Sequence, residues 1–162
     1  MARWPRGEAE IEQQILQREM QSITGAEADG TPLLKQARRT VETASSLIET
    51  DTHSAYVLAY DAARFACIAL LAQQGLRSTT TGGHYAVERA VRAQFGDGFR
   101  PFADMRRRRH ELEYPHLPTD TPSEDEVREA VQAAERLITA ASQLIGQLSF
   151  FAHPEAPQRP PS

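Results

Sequence analysis

Ser54-Ala55-Tyr56-Val57-Leu58-Ala59-Tyr60-Asp61-Ala62-Ala63-Arg64-Phe65-Ala66-Cys67-Ile68-Ala69-Leu70-Leu71-Ala72-Gln73-Gln74-Gly75 decides how the rest of the chain is read. It is Ala-rich and free of proline, and Tyr56, Ala59, Tyr60, Ala63, Cys67, Leu70 and Leu71 recur at helical spacing. Val57, Leu58, Phe65 and Ile68 make the remaining sides apolar as well. A helix that is apolar nearly all round must be wrapped by other helices, so this one is central. Gly75 closes it as a C-cap. Its longest purely apolar run, Phe65–Ala72, is far shorter than the ~18 residues that suggest a membrane span.

The neighbours fall into place around it. Upstream, Thr31-Pro32 starts a helix, with a hydroxyl cap and proline in the first turn; Leu33, Leu34, Ala37, Val41, Ala44, Leu47 and Ile48 then hold one apolar face. Before that, Glu8–Ile23 reads as an amphipathic helix through Ile11, Ile15, Leu16, Met20 and Ile23, expected either to cover the core or to pair two protomers. Downstream, Arg77–Gly83 reads as a polar loop and His84–Phe95 as a short helix ended by Gly96-Asp97-Gly98. Phe99–Tyr114 is a further helix stopped by Pro115, and a last helix starts at Pro122-Ser123-Glu124-Asp125-Glu126 and runs through Leu148. No sustained period-two pattern and no fixed internal repeat occurs. The expectation is an all-α, up-and-down bundle of about five or six helices. Its parts are residues 1–30 as an N-terminal helix and linker, 31–150 as the bundle, and 151–162 as a disordered Pro-rich tail that includes His153.

The hydrophobic fraction of 40% and charged fraction of 25% are those of a globular protein. A single cysteine, Cys67, excludes an internal disulfide and a multi-Cys zinc site, and its place in the central helix makes it a small buried hydrophobe. The N-terminal residues lack the apolar region of a signal peptide, so the expected location is the cytoplasm. The net charge of −4 hides an asymmetry. Between Leu76 and His110, eight arginines face only Glu88, Asp97 and Asp104, leaving +5 in that segment and −9 elsewhere. This implies one locally positive surface.

The most unusual stretch is Met105-Arg106-Arg107-Arg108-Arg109-His110-Glu111-Leu112-Glu113-Tyr114-Pro115-His116. At ~100° per residue the four arginines point all the way round a helix. Arg106, Arg109, His110 and Glu113 share one stripe. Arginine can clamp a phosphate through two N–H bonds, and histidine exchanges a proton near neutral pH. The structural alternative is a solvated face paired with Glu111, Glu113 and the acidic start of the last helix.

The order of helices, together with an Arg-x(4–6)-His spacing near the end of the penultimate helix, resembles the HEPN superfamily (higher eukaryotes and prokaryotes nucleotide-binding domain), especially HEPN-like proteins of the actinobacterial type. Arg109 and His116 carry that spacing, with six residues between them. Tyr60-Asp61-Ala62-Ala63-Arg64, Gly75-Leu76-Arg77, Gly82-Gly83-His84-Tyr85 and Glu113-Tyr114-Pro115 add to the likeness, which spans roughly Thr31–Leu148. The resemblance implies a metal-independent endoribonuclease of toxin–antitoxin or phage-defence type, working without a cofactor or metal. Arg109 would hold the scissile phosphate and His116 would exchange the proton, with Arg106, His110, Glu113, Tyr114 and Asp61 in supporting or alternative roles. Arg77, Arg107 and Arg108 would contact RNA phosphates. The implied partners are RNA, a second copy of the chain, and a cognate antitoxin or nucleotidyltransferase-like protein; no membrane is implied. The alternatives are a catalytically inactive HEPN-like module that binds a nucleotide or partner protein, and an arginine-rich adaptor.

The remaining residues carry weaker signals. His84 after Gly82-Gly83 either receives an anion at a helix N-terminus or merely opens the helix after a turn. Asp61 and Arg64 form a structural pair one turn apart, unless Asp61 orients an arginine of the basic stretch. Tyr56 and Tyr60 are expected as core aromatics with wetted hydroxyls, and His53 at the start of the central helix. No phosphate-binding glycine loop, metal-spaced cluster or nucleophile elbow is present.

Overall fold

A computed structural model describes residues 3–151 of the chain. Six α-helices occur among them: α1 (Glu8–Leu16), α2 (Thr31–Ser46), α3 (Thr52–Gln73), α4 (Gly83–Phe95), α5 (Arg100–Glu113) and α6 (Glu124–Leu144). Two three-residue strands, β1 (Met20–Ser22) and β2 (Leu76–Ser78), pair antiparallel, with Gln21 opposite Arg77. The fold is all-α, as the periodicity predicts.

The central helix is central. α3 packs against α2, α6, α5 and α4. Ala59, Ala62, Ala63, Ala66 and Ala69 are fully buried along it, and side chains this small let neighbouring helices approach closely. Cys67 is buried there too, and burial pushes its thiol ionisation up. α3 is long and apolar enough by length and composition to cross a membrane, but 67% of its most apolar window is buried inside the bundle. Helix boundaries follow their caps. α3 starts at Thr52, before the expected Ser54, because the Asp51 carboxylate accepts from both the Ser54 N–H (3.0 Å) and its hydroxyl (2.6 Å). These bonds hold the Asp51 carboxyl below the usual range. At α2 the cap is not the Thr31 hydroxyl: Asp29 Oδ1 accepts from the Thr31 N–H at 2.9 Å.

Three expectations are corrected. The helix expected over Glu8–Ile23 stops at Leu16, where Arg18 takes a left-handed φ of 59° and the chain turns into β1. Met20 and Ile23 are buried as expected, but from an extended ribbon, because β2 offers unpaired backbone groups there. The loop expected over Arg77–Gly83 accordingly begins with β2. The last helix, expected through Leu148, gives way after Leu144 to a 3-10 turn over Ile145–Gln147. Leu148 and Phe151 fold back into the core, with the Phe151 N–H donating to the Gln74 carbonyl at 2.9 Å. Phe151, expected as the first residue of a disordered tail over 151–162, thus belongs to the core, and the rest of that tail, His153 included, lies outside the described residues.

α1 covers the core. Ile11 and Gln14 are fully buried against α4, Gln14 donates to the Ala86 carbonyl at 3.0 Å, and Arg89 bridges Glu10 (2.8 Å) and Glu19 (2.6 Å). Trp4 donates to the Gln94 carbonyl at 2.8 Å beside Phe95.

Candidate functional site

α3, α4 and α5 converge on one open cleft of about 300 Å³, lined by Tyr60, His84, Tyr85, Arg106, Arg109, His110, Glu113 and Tyr114. Each helix contributes through its own pattern. α5 buries Phe102, Met105 and Leu112, so the stripe of Arg106, Arg109, His110 and Glu113 must face away from that core, into the cleft. From α3 comes Tyr60, fully buried and stacked on Phe102 with centroids 5.6 Å apart. α4 starts at the cleft wall because Gly82 lies against the Glu19 carbonyl, where a Cβ would come within 2.3 Å. The two glycines therefore make a close approach and a turn, and His84 opens the helix.

His84 does more than open a helix. Its Nδ1 is 2.8 Å from the buried Tyr60 hydroxyl, while Nε2 has no hydrogen-bond partner among the described residues. The ring is exposed overall, yet partial burial, followed by the nearby Arg64 and Arg109 charges, lowers its pKa. The neutral imidazole is thus favoured. Burial pushes the Tyr60 ionisation upward, so its hydroxyl stays a phenol.

The cleft cations are held by acids. Arg106 Nε pairs with the buried Glu88, and its guanidinium packs 5.2 Å from the Tyr85 ring centroid. Arg109 pairs with Glu113 one turn on, while its buried Nε has no partner. His110 and Tyr114 rest ring against ring at 5.0 Å.

The other expected site residues stand elsewhere. His116 is exposed in the loop after α5 and does not line the cleft beside Arg109. Arg107 pairs with Asp104 on the outer face of α5. Arg108 is enclosed by Glu126 (2.6 Å), Asp120 (3.1 Å) and Glu111 (3.2 Å), so it ties α5 to the following loop and to α6. Arg77 lies on β2, 3.7 Å from Glu27. Asp61 pairs with Arg64 at 3.6 Å and not with an arginine of α5. His53 sits at the start of α3, its Nε2 3.5 Å from the Leu112 carbonyl. Tyr56 is buried as expected. Acids supplied from other segments therefore neutralise much of the positive charge concentrated in the sequence. Among the described residues no group of three or more His, Cys, Asp or Glu side chains is placed to hold a metal ion.

Sequence reasoning missed the Tyr60–His84 pair. The two residues lie 24 positions apart on different helices, and no periodicity links them. The available signal was Gly82-Gly83 directly before a histidine and a tyrosine, which marks tight backbone placement.

A family model described as HEPN domain matches residues 32–144, well over half of the chain. No curated protein and no solved structure matches it. The match opens at the start of α2 and closes at the end of α6, so it takes in all three helices that build the cleft. The chain belongs to the HEPN domain family.

Proposed function

We propose that this chain binds RNA at the α3–α4–α5 cleft and cleaves it as a metal-independent endoribonuclease. One observation carries the reading: two guanidiniums and ionisable imidazole share a single open cleft at the basic stretch of a HEPN domain. Arg109 would grip the phosphodiester, its fork matching two phosphate oxygens, and Arg106 would add charge from the adjacent turn. His110, beside Arg109, would exchange a proton with a ribose oxygen. His116 reaches the reaction only if its loop folds onto the cleft or a second copy brings it there. The homodimer and the toxin–antitoxin or defence setting belong to the same proposal and rest on the family alone; the cytoplasmic location belongs to it too and rests on the N-terminal sequence.

Incubation with a short single-stranded RNA in EDTA tests it. Cleavage leaving 2′,3′-cyclic phosphate ends supports the reading, and an intact RNA overturns it. His110→Ala and His116→Ala then assign the proton exchange, since only the working imidazole should abolish cleavage. One observation favours the alternative of a silent binding module: both cleft guanidiniums already hold carboxylates. RNA bound but uncut would establish that alternative.

A further inference from the structure

We propose that His84 is the second working imidazole of the cleft, presenting Nε2 to the bound phosphodiester, and that Tyr60 is the residue that positions it. This rests on the ribonuclease reading and adds to it a group lying outside the basic stretch.

Transfer of a phosphodiester to a neighbouring ribose oxygen needs two proton exchanges at opposite ends of the reacting phosphorus. The 2′-oxygen bonds to phosphorus as its proton passes to a base. The P–O5′ bond then breaks, and the 5′-oxygen leaves with a proton from an acid. One histidine beside Arg109 supplies one end. His84 lines the same cleft from α4, across from the α5 stripe. Its Nδ1 faces the Tyr60 hydroxyl at 2.8 Å. The contact admits either tautomer; the base role takes the one in which Nδ1–H donates to the Tyr60 oxygen and the Tyr60 O–H turns toward the cleft that Tyr60 also lines, which leaves the Nε2 lone pair to accept the 2′-hydroxyl proton. His110 then donates to the leaving 5′-oxygen.

Tyr60 suits the positioning role because it cannot swing. It is fully buried, and Phe102 is stacked on it almost parallel, at 6°. The charged groups around His84 are Asp61 and Arg64 from α3 and Arg106 and Arg109 from α5. Three cations against one carboxylate favour the neutral ring that a base requires.

The test uses the full chain with a short single-stranded RNA for cleavage, and the same sequence in 2′-deoxy form for binding. His84→Gln should slow cleavage about 100-fold or more and weaken binding of the deoxy analogue far less, by several-fold at most. Tyr60→Phe should retain part of the rate and move the acidic limb of the pH–rate profile to lower pH, because the protonated ring loses the oxygen that stabilises it. A merely structural Tyr60 would lower thermal stability and leave that limb in place, which would overturn the positioning role. Cleavage by His84→Gln at the wild-type rate overturns the proposal and leaves the ribonuclease reading standing. If wild type never cuts, the base role falls with that reading, and the imidazole ¹⁵N resonances decide what remains. A shift of the His84 Nε2 signal on adding the deoxy analogue supports its phosphodiester contact; an unmoved signal, or no binding, overturns it.

Discussion

Arg109 is paired with Glu113, a partner it would have to exchange for a phosphate on the proposed reading. Its carboxylate neighbour Glu113 occupies the guanidinium that a phosphate would take. The pair is partly exposed, so it contributes little stability and is readily exchanged for a better ligand. Glu113→Gln should therefore tighten binding of a short RNA several-fold, measured by fluorescence anisotropy. Arg109→Ala should lose binding and cleavage, and Arg109→Lys should restore binding only in part, since a point charge lacks the fork. His84 makes a prediction about pH. Its pKa is lowered on folding, so the unfolded chain binds the proton more tightly. The stability tied to neutral His84 is present above about pH 6.5 and is lost as the pH falls through the lowered folded value. Denaturant titrations of wild type between pH 5 and 7 should show that slope, and His84→Gln should flatten it.

At the scale of elements, α5 is divided between two duties. Arg106 and Arg109 face the cleft, whereas Arg108 holds the helix to Asp120 and Glu126 across the loop that carries His116. Arg108→Met keeps the stem and removes the charge, and should lower stability by about 1–2 kcal/mol, discounted for the exposure of its acids. Far-UV circular dichroism should be unchanged, because the helices keep their packed faces. Asp120 titrates with the same contact. Its hydrogen bonds from Arg108 hold its carboxyl below the usual range. The tether is therefore intact above about pH 4 and is lost as the pH falls through the lowered value. Hydrogen exchange in the loop between α5 and α6 should rise over that interval in wild type and be high throughout in Arg108→Met.

Across the whole molecule, the residues that fill the core around Leu70 and Ala63 are not those that line the cleft. The core is organised by α3: Leu70→Ala should cost about 2–5 kcal/mol through the cavity it leaves, and Ala63→Leu about 1–3 kcal/mol by forcing helices apart. Neither residue lines the cleft, so both variants should bind RNA normally while folded. Binding itself should be only weakly salt-dependent. Most arginines of the basic segment are held by acids, and two face the cleft. Log affinity against log salt should fall with a slope of about −1 to −2 for a single strand; a slope several times steeper would mean that Arg77, Arg107 and Arg108 also reach the phosphates.

The sequence by itself determined the helices, the central place of α3 and the stripe of Arg106, Arg109, His110 and Glu113, because each follows from periodicity along one helix. Its local rules also offered Glu111, Glu113 and the acidic start of the last helix as partners of the arginine run, which Arg108 and Arg109 take, but not Asp104, which holds Arg107. They failed at Met20 and Ile23, whose apolar spacing suits a helix although a partner strand 56 residues downstream pulls the chain straight. Only the tertiary structure decided what shares a cleft. It set His84 on Tyr60, left His116 outside, and brought Glu10, Glu19 and Asp120 to the positive segment. The physical reason is range: helix propensity and amphipathicity act over three or four residues, whereas a hydrogen bond or ion pair between helices depends on how their packed faces meet.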